Sequence, residues 1–128
     1  MRHNTSGFTL VELLTVILII GLLAVIALPR FVNTRERAYV SAMQSDLRNL
    51  ATAEEDYFAE SLTYTSNLTN ITFNSSKRIK VTMPEATSKG WRAKATHELA
   101  THLECELYYG TATGATLAKT SGAIECNN

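Results

Sequence analysis

Hydrophobic positions change their spacing twice along this chain. From Phe8 to Leu28 an apolar run is interrupted only by Thr9, Glu12, Thr15 and Gly21, and the stretch LLTVILIIGLLAVIAL (13–28) carries no charge. As a helix, 8–28 spans about 31 Å, enough for the hydrocarbon core of a bilayer. A buried core helix is the competing explanation, but the rest of the chain is too small to cover one on all sides. From Tyr39 the pattern becomes periodic. Tyr39, Met43, Leu47, Leu50, Ala53 and Tyr57 recur at three- and four-residue steps, with Gln44, Asp46, Arg48, Asn49, Glu54 and Glu55 between them. That spacing predicts an amphipathic helix whose stripe packs on the C-terminal half.

After Glu60 the segment SLTYTSNLTNITFNSS is rich in serine, threonine and asparagine and reads as a surface connection. Its triplets at Asn67, Asn70 and Asn74 match the glycosylation pattern, but such triplets also arise by chance in a polar loop. Period-two alternation then predicts three strands, RIKVTM (78–83), WRAKATHE (91–98) and LECELYYG (103–110). Pro84 to Gly90 and the region around Ala100 are the expected turns. The predicted fold is α+β: a long N-terminal α-helix, apolar in its first half and amphipathic in its second, packed on a small antiparallel β-sheet. Four segments follow: 1–7 ahead of the helix, 8–29 as a membrane-spanning helix, 30–60 as the amphipathic helix, and 61–128 as connection and sheet.

Charge narrows the function classes. With 12 basic and 12 acidic residues, no global field points to nucleic acid or to an acidic partner. Arg30, Arg35, Glu36 and Arg37 form a charged patch just past the apolar run, suited to lipid headgroups, to acids of neighbouring subunits, or simply to solvent. Cys105 and Cys126 are the two cysteines. One disulfide in an oxidising compartment is the simplest reading of that even count, with two buried thiols as the alternative. No zinc spacing occurs. His97 and His102, with Glu98 and Glu104 near them, read as exposed polar residues at strand ends rather than a metal or catalytic pair. No nucleophile constellation, phosphate loop or paired catalytic carboxylates stands out, so neither an enzymatic activity nor a cofactor is expected.

The start of the chain is not an ordinary secretory signal. Arg2 and His3 give a short basic start, yet no small-residue cleavage site follows the apolar run; AVIALPRF continues into Pro29, Arg30 and Phe31. The small residue placed for a peptidase is Gly7, ahead of the run, so a cut there keeps the span. Gly7, then Phe8, then Glu12 four residues on, then the long apolar run closed by Pro29, resembles the N-terminal segment of type IV prepilins. The short leader and Phe8 look like the type IVa subgroup, and RAYVSAMQSDLRNL (37–50) is similar to the helix of small bacterial pilins.

The resemblance implies cleavage after Gly7 by a prepilin peptidase, N-methylation of Phe8, and a filament built by self-association of the apolar helices into a helical homopolymer. It implies residence in the bacterial inner membrane with its assembly machinery, then a place in an extracellular surface filament. Within it, Glu12 is expected to neutralise the amine of Phe8 on a neighbouring subunit; an acid tolerated near the start of a helix is the alternative. Gly21 and Pro29 mark a stretch that either is merely tolerated or kinks and unwinds when subunits pack. A pseudopilin or minor pilin of a secretion or DNA-uptake machine is the nearest alternative, though no acid-rich loop is evident near the C terminus. A membrane-anchored periplasmic binding module is the alternative of another class. Adhesion, motility, DNA uptake and electron transfer through Phe31, Tyr39, Tyr57 and Phe58 are all compatible with this pattern.

Overall fold

In the computed structural model, which describes residues 7–127, the apolar run and the amphipathic stripe form one helix, α1 (Leu10–Ser61). Its contacts divide the chain into two compact units, with the boundary between Arg35 and Glu36. Of the leader expected over 1–7, residues 1–6 lie outside the described residues. In the first unit every large apolar residue of the run is exposed, from Leu10 to Leu28. Among the described residues, none covers this part of α1.

The second unit contains the rest of α1 and a four-stranded antiparallel sheet in the order β1-β2-β3-β4. The strands are β1 (Ile79–Thr87), β2 (Gly90–His97), β3 (Ala100–Gly110) and β4 (Glu125–Asn127). Met43, Leu47, Leu50 and Ala53 of α1 are buried as their spacing predicts. The core they join includes Ile79 and Val81 of β1, Trp91, Ala93 and Ala95 of β2, and Leu103, Cys105 and Leu107 of β3. Trp91 is fully buried, with Tyr109 stacked on it at 5.5 Å.

β3 begins at Ala100, where a turn was expected, three residues ahead of the predicted strand, and the turn before it is Glu98 and Leu99; two further departures from the sequence pattern have identifiable reasons. β1 does not stop at Met83 but runs through Pro84 to Thr87. Between Thr82 and Glu85 it holds one residue more than β2 opposite it, a bulge that contains the proline. Ile79 and Val81 face the core before it, Met83 within it and Ala86 after it, so the alternation changes phase and hides the continuation. The turn into β2 shrinks to Ser88 and Lys89. β4, too short to show a period, pairs with β3 so that Cys105 and Cys126 stand directly opposite each other. They form the disulfide, which returns the tail to the third strand as expected. The loop it closes, 21 residues in separation, stabilises by about 3 kcal/mol in a chain-entropy account.

Carboxylates that the sequence presents as polar spacers fasten the two long connections. Asp46 accepts hydrogen bonds from the Ser76 amide and hydroxyl, both at 2.7 Å, and Glu54 accepts from the Thr65 amide at 3.0 Å. The helix thereby holds both ends of the connection to β1. Within that connection, Asn67 caps a short 3-10 turn, accepting from the Thr69 amide and hydroxyl. The end of α1 is closed by Leu62 in the left-handed region (φ 55°), whose amide donates to the Phe58 carbonyl. On the opposite face of the sheet, Glu106 is fully buried under the segment 111–124. It accepts from the amides of Thr116, Leu117 and Ala118, and Arg92 donates to it at 3.3 Å.

Glu54 is shut away from solvent, and its Oε1 has no hydrogen-bond partner. Burial pushes its carboxyl above the usual range, against the pull of the Thr65 amide, and Glu55 adds to the rise. A carboxyl raised in the folded state contributes stability at low pH and loses it as pH rises through the folded value. Glu54→Gln keeps the acceptor for Thr65 and removes the charge. It is expected to raise the thermal midpoint at neutral pH by a few degrees and to flatten its dependence on pH; a lower midpoint would show that the ionised form is stabilising.

Candidate functional site

Gly7, Phe8 and Thr9 precede the helix without regular structure and are exposed, Phe8 at 78 %. A Cβ placed on Gly7 would meet no described residue within 4 Å. Among the described residues, none packs against Gly7 closely enough to require glycine there. A requirement imposed by an outside catalyst that must bring its own groups close to the backbone is the physical alternative.

Glu12 sits in the first turn of α1 and is tied back to Thr9. The Thr9 amide and hydroxyl each donate to Glu12 Oε2 at 2.8 Å, and the Glu12 amide donates to Thr9 Oγ1 at 3.2 Å. This reciprocal pair is a capping box, with Thr9 as the cap and Glu12 as the third helical residue. The charge also favours the positive end of the helix dipole. Thr9 was missed in reading the sequence as a mere interruption of the apolar run, although the spacing Thr9-Leu10-Val11-Glu12 carries the signal. The single chain thus gives Glu12 a local partner but no cation: among the described residues, no ion pair involves it.

Past the cap, α1 is long and apolar enough to cross a membrane by length and composition. Gly21 leaves a shallow apolar groove lined by Leu14, Ile17, Leu18, Leu22 and Val25. A Cβ on Gly21 would also meet nothing within 4 Å, so this glycine, which costs about 1 kcal/mol against alanine in a helix interior, has no reason in the isolated chain. The helix is assigned through position 29, where proline cannot donate to the Val25 carbonyl. Gly21 and Pro29 are therefore weak points of a helix that is whole in the single chain.

The two histidines do not behave alike. His97, expected at an exposed strand end, is buried: its ring stacks on Tyr39 at 3.9 Å, and its Nδ1 accepts from the Leu99 amide. His102 is exposed as expected and lies 3.3 Å from Glu36. Among the described residues, no group of three or more metal-capable side chains comes together.

The description "prokaryotic N-terminal methylation motif" matches residues 2–28 as a family pattern. The chain is 40 % identical over 70 residues to the type IV major pilin protein PilA of Myxococcus xanthus, a match covering 55 % of this chain and 32 % of that protein. It is 39 % identical over 65 residues to the type IV wide pilus major component PilA4 of Thermus thermophilus, covering 51 % and 50 %. It is also 32 % identical over 65 residues to the type II secretion system core protein G of Pseudomonas aeruginosa, covering 51 % and 46 %. The matches thus span between about a third and a half of the length of these relatives. By name, all three are components of pili or of a secretion system.

Proposed function

We propose that the chain is a structural subunit of a type IV pilus-like filament, cut after Gly7, methylated on Phe8 and assembled through its apolar helix, a reading supported by its N-terminal methylation motif and its likeness to type IV major pilins. The observation that carries this reading is the junction itself. An exposed, unstructured Gly7–Phe8 bond stands directly ahead of a capped helix whose apolar surface is bare. A membrane covers that surface before assembly, and copies of the same helix cover it afterwards.

The cut creates a positive amine on Phe8, and methylation keeps its charge while removing one hydrogen-bond donor. In a dry helix bundle, the amine of one subunit and Glu12 of its neighbour neutralise each other under weak screening. Glu12 therefore changes partners, from the Thr9 cap in the single chain to the neighbouring amine in the filament. The helix between Gly21 and Pro29 unwinds or kinks as copies pack, which gives both residues a reason that the isolated chain does not supply. The partners are other copies of the chain, a prepilin peptidase and the assembly machinery of the inner membrane. The end point is a filament on the cell surface.

The test joins processing to assembly. Intact-mass and N-terminal analysis is expected to show a mature chain starting at Phe8 with one added methyl group. Gly7→Glu is expected to retain the leader and to be missing from filaments. Electron microscopy of cells lacking, then regaining, the chain should show long filaments that depend on it. A likeness to a secretion core protein supports a second reading, a pseudopilin. Normal surface filaments in the deletion strain, together with a secretion defect, would favour that reading and overturn the first.

A further inference from the structure

Arg30, Phe31 and Arg35 stand just past the apolar run, and all three are exposed. The Arg35 guanidinium lies over the Phe31 ring, 4.8 Å from its centroid. None of the ion pairs formed among the described residues involves Arg30 or Arg35. The acid next in sequence, Glu36, is 3.3 Å from His102. Two guanidinium groups and an aromatic ring are thus left without a carboxylate partner, immediately beyond the segment sized to the bilayer.

We infer that Arg30, Phe31 and Arg35 form a collar that binds the headgroups of anionic phospholipids and sets the depth of the chain in the membrane before assembly. The inference rests on the membrane stage of the function proposed above. Three physical points carry it. At 1.5 Å per residue, Arg30 lies about 3 Å and Arg35 about 10 Å along the helix beyond Leu28, which spans the headgroup layer. The Phe31 ring, an apolar group at the edge of the hydrocarbon, supports on its face the guanidinium of Arg35 above it. The two arginines are about 140° apart around the helix axis. A protein neighbour meets one side of a helix, whereas lipid surrounds a single span, so cations on different sides fit a lipid shell better than one docked partner. Guanidinium also suits a phosphate in particular, presenting a planar fork to its oxygens.

The collar can be read out with the full-length chain reconstituted in phosphatidylcholine bilayers containing a minor fraction of phosphatidylglycerol. Spin-labelled phosphatidylglycerol and phosphatidylcholine report, by electron spin resonance, how strongly each lipid joins the motionally restricted shell around the span. The wild-type chain is expected to favour the anionic lipid. The Arg30→Gln/Arg35→Gln chain is expected to lose about fivefold of that preference, and Arg30→Lys/Arg35→Lys to keep most of it. Preference in the wild type should also fall at high salt. Equal lipid preference in the wild-type and glutamine chains would overturn the collar while leaving the membrane stage intact, as it would if the arginines instead serve acids of a second copy. Absence of any restricted component, with either lipid, would overturn the membrane stage and the collar with it.

Discussion

Glu12→Ala is expected to leave the cut after Gly7 intact and to abolish filaments. In the proposed filament the variant would bury the amine of Phe8 without its counter-charge, and breaking such a buried pair costs about 3–5 kcal/mol. Each subunit would then join its neighbours roughly a hundredfold to several thousandfold more weakly. Alanine also removes the carboxylate that accepts from Thr9, so a failure could reflect the frayed cap instead. Glu12→Gln separates the two causes, because glutamine serves a capping box nearly as well and carries no charge. If charge neutralisation governs assembly, both variants are processed and neither builds filaments. Electron microscopy with mass analysis of the membrane fraction checks this, and filaments built normally by the glutamine variant would remove charge from the account. Thr9→Val serves as the converse control, since it weakens the cap and keeps the charge.

The second large effect is expected at Glu106→Ala. This carboxylate is fully buried and joins the segment 111–124 to the sheet through three successive amides and Arg92. Its removal leaves those donors without an acceptor and strands the Arg92 charge, a loss of about 3–5 kcal/mol. Trp91 is the single tryptophan and lies in the core, so its fluorescence follows unfolding of the second unit directly. The urea midpoint of the detergent-solubilised chain should fall far below that of the wild type, with Glu106→Gln between the two. A midpoint within experimental error of the wild type would show that the loop is held by other contacts. Burial alone would raise the Glu106 carboxyl; the amides of Leu117, Ala118 and Thr116, with Arg92, bring it below the usual range. Its contribution is therefore present above the unfolded carboxylate value and is lost as pH falls through the lower, folded one, the reverse of Glu54.

Much of this was legible in the sequence, because many of its determinants are local. The apolar run, the stripe from Met43 to Ala53 and the alternation of β2 are periods, and a period survives whatever the helix or strand packs against. Gly7, Phe8 and Glu12 lie within six residues, so the candidate site could be read as a word. What escaped depends on partners distant in the chain. Asp46, Glu54, His97 and Glu106 have the side chains of surface residues and are buried because Ser76, Thr65, Tyr39 and residues 116–118 meet them there. The end of β1 escaped because its bulge changes the phase of the pattern. Thr9 is the exception: its role is local, and the capping box was there to be read.

The bulge has a second consequence. β1 is an outer strand of the sheet, a row of backbone groups able to recruit a strand from another copy. Pro84 withholds a donor from that row, the extra residue twists it, and the Tyr64 amide already occupies the Thr87 carbonyl at its far end. At the opposite margin, β4 offers only three residues. Under the proposed function, a chain that joins many copies of itself by one end must be refused everywhere else, since crowding along a polymer brings its sheets together at high local concentration. The proline that cut short the apparent strand thus guards the edge of the sheet against amyloid-like pairing, a safeguard that the proposed polymer would need.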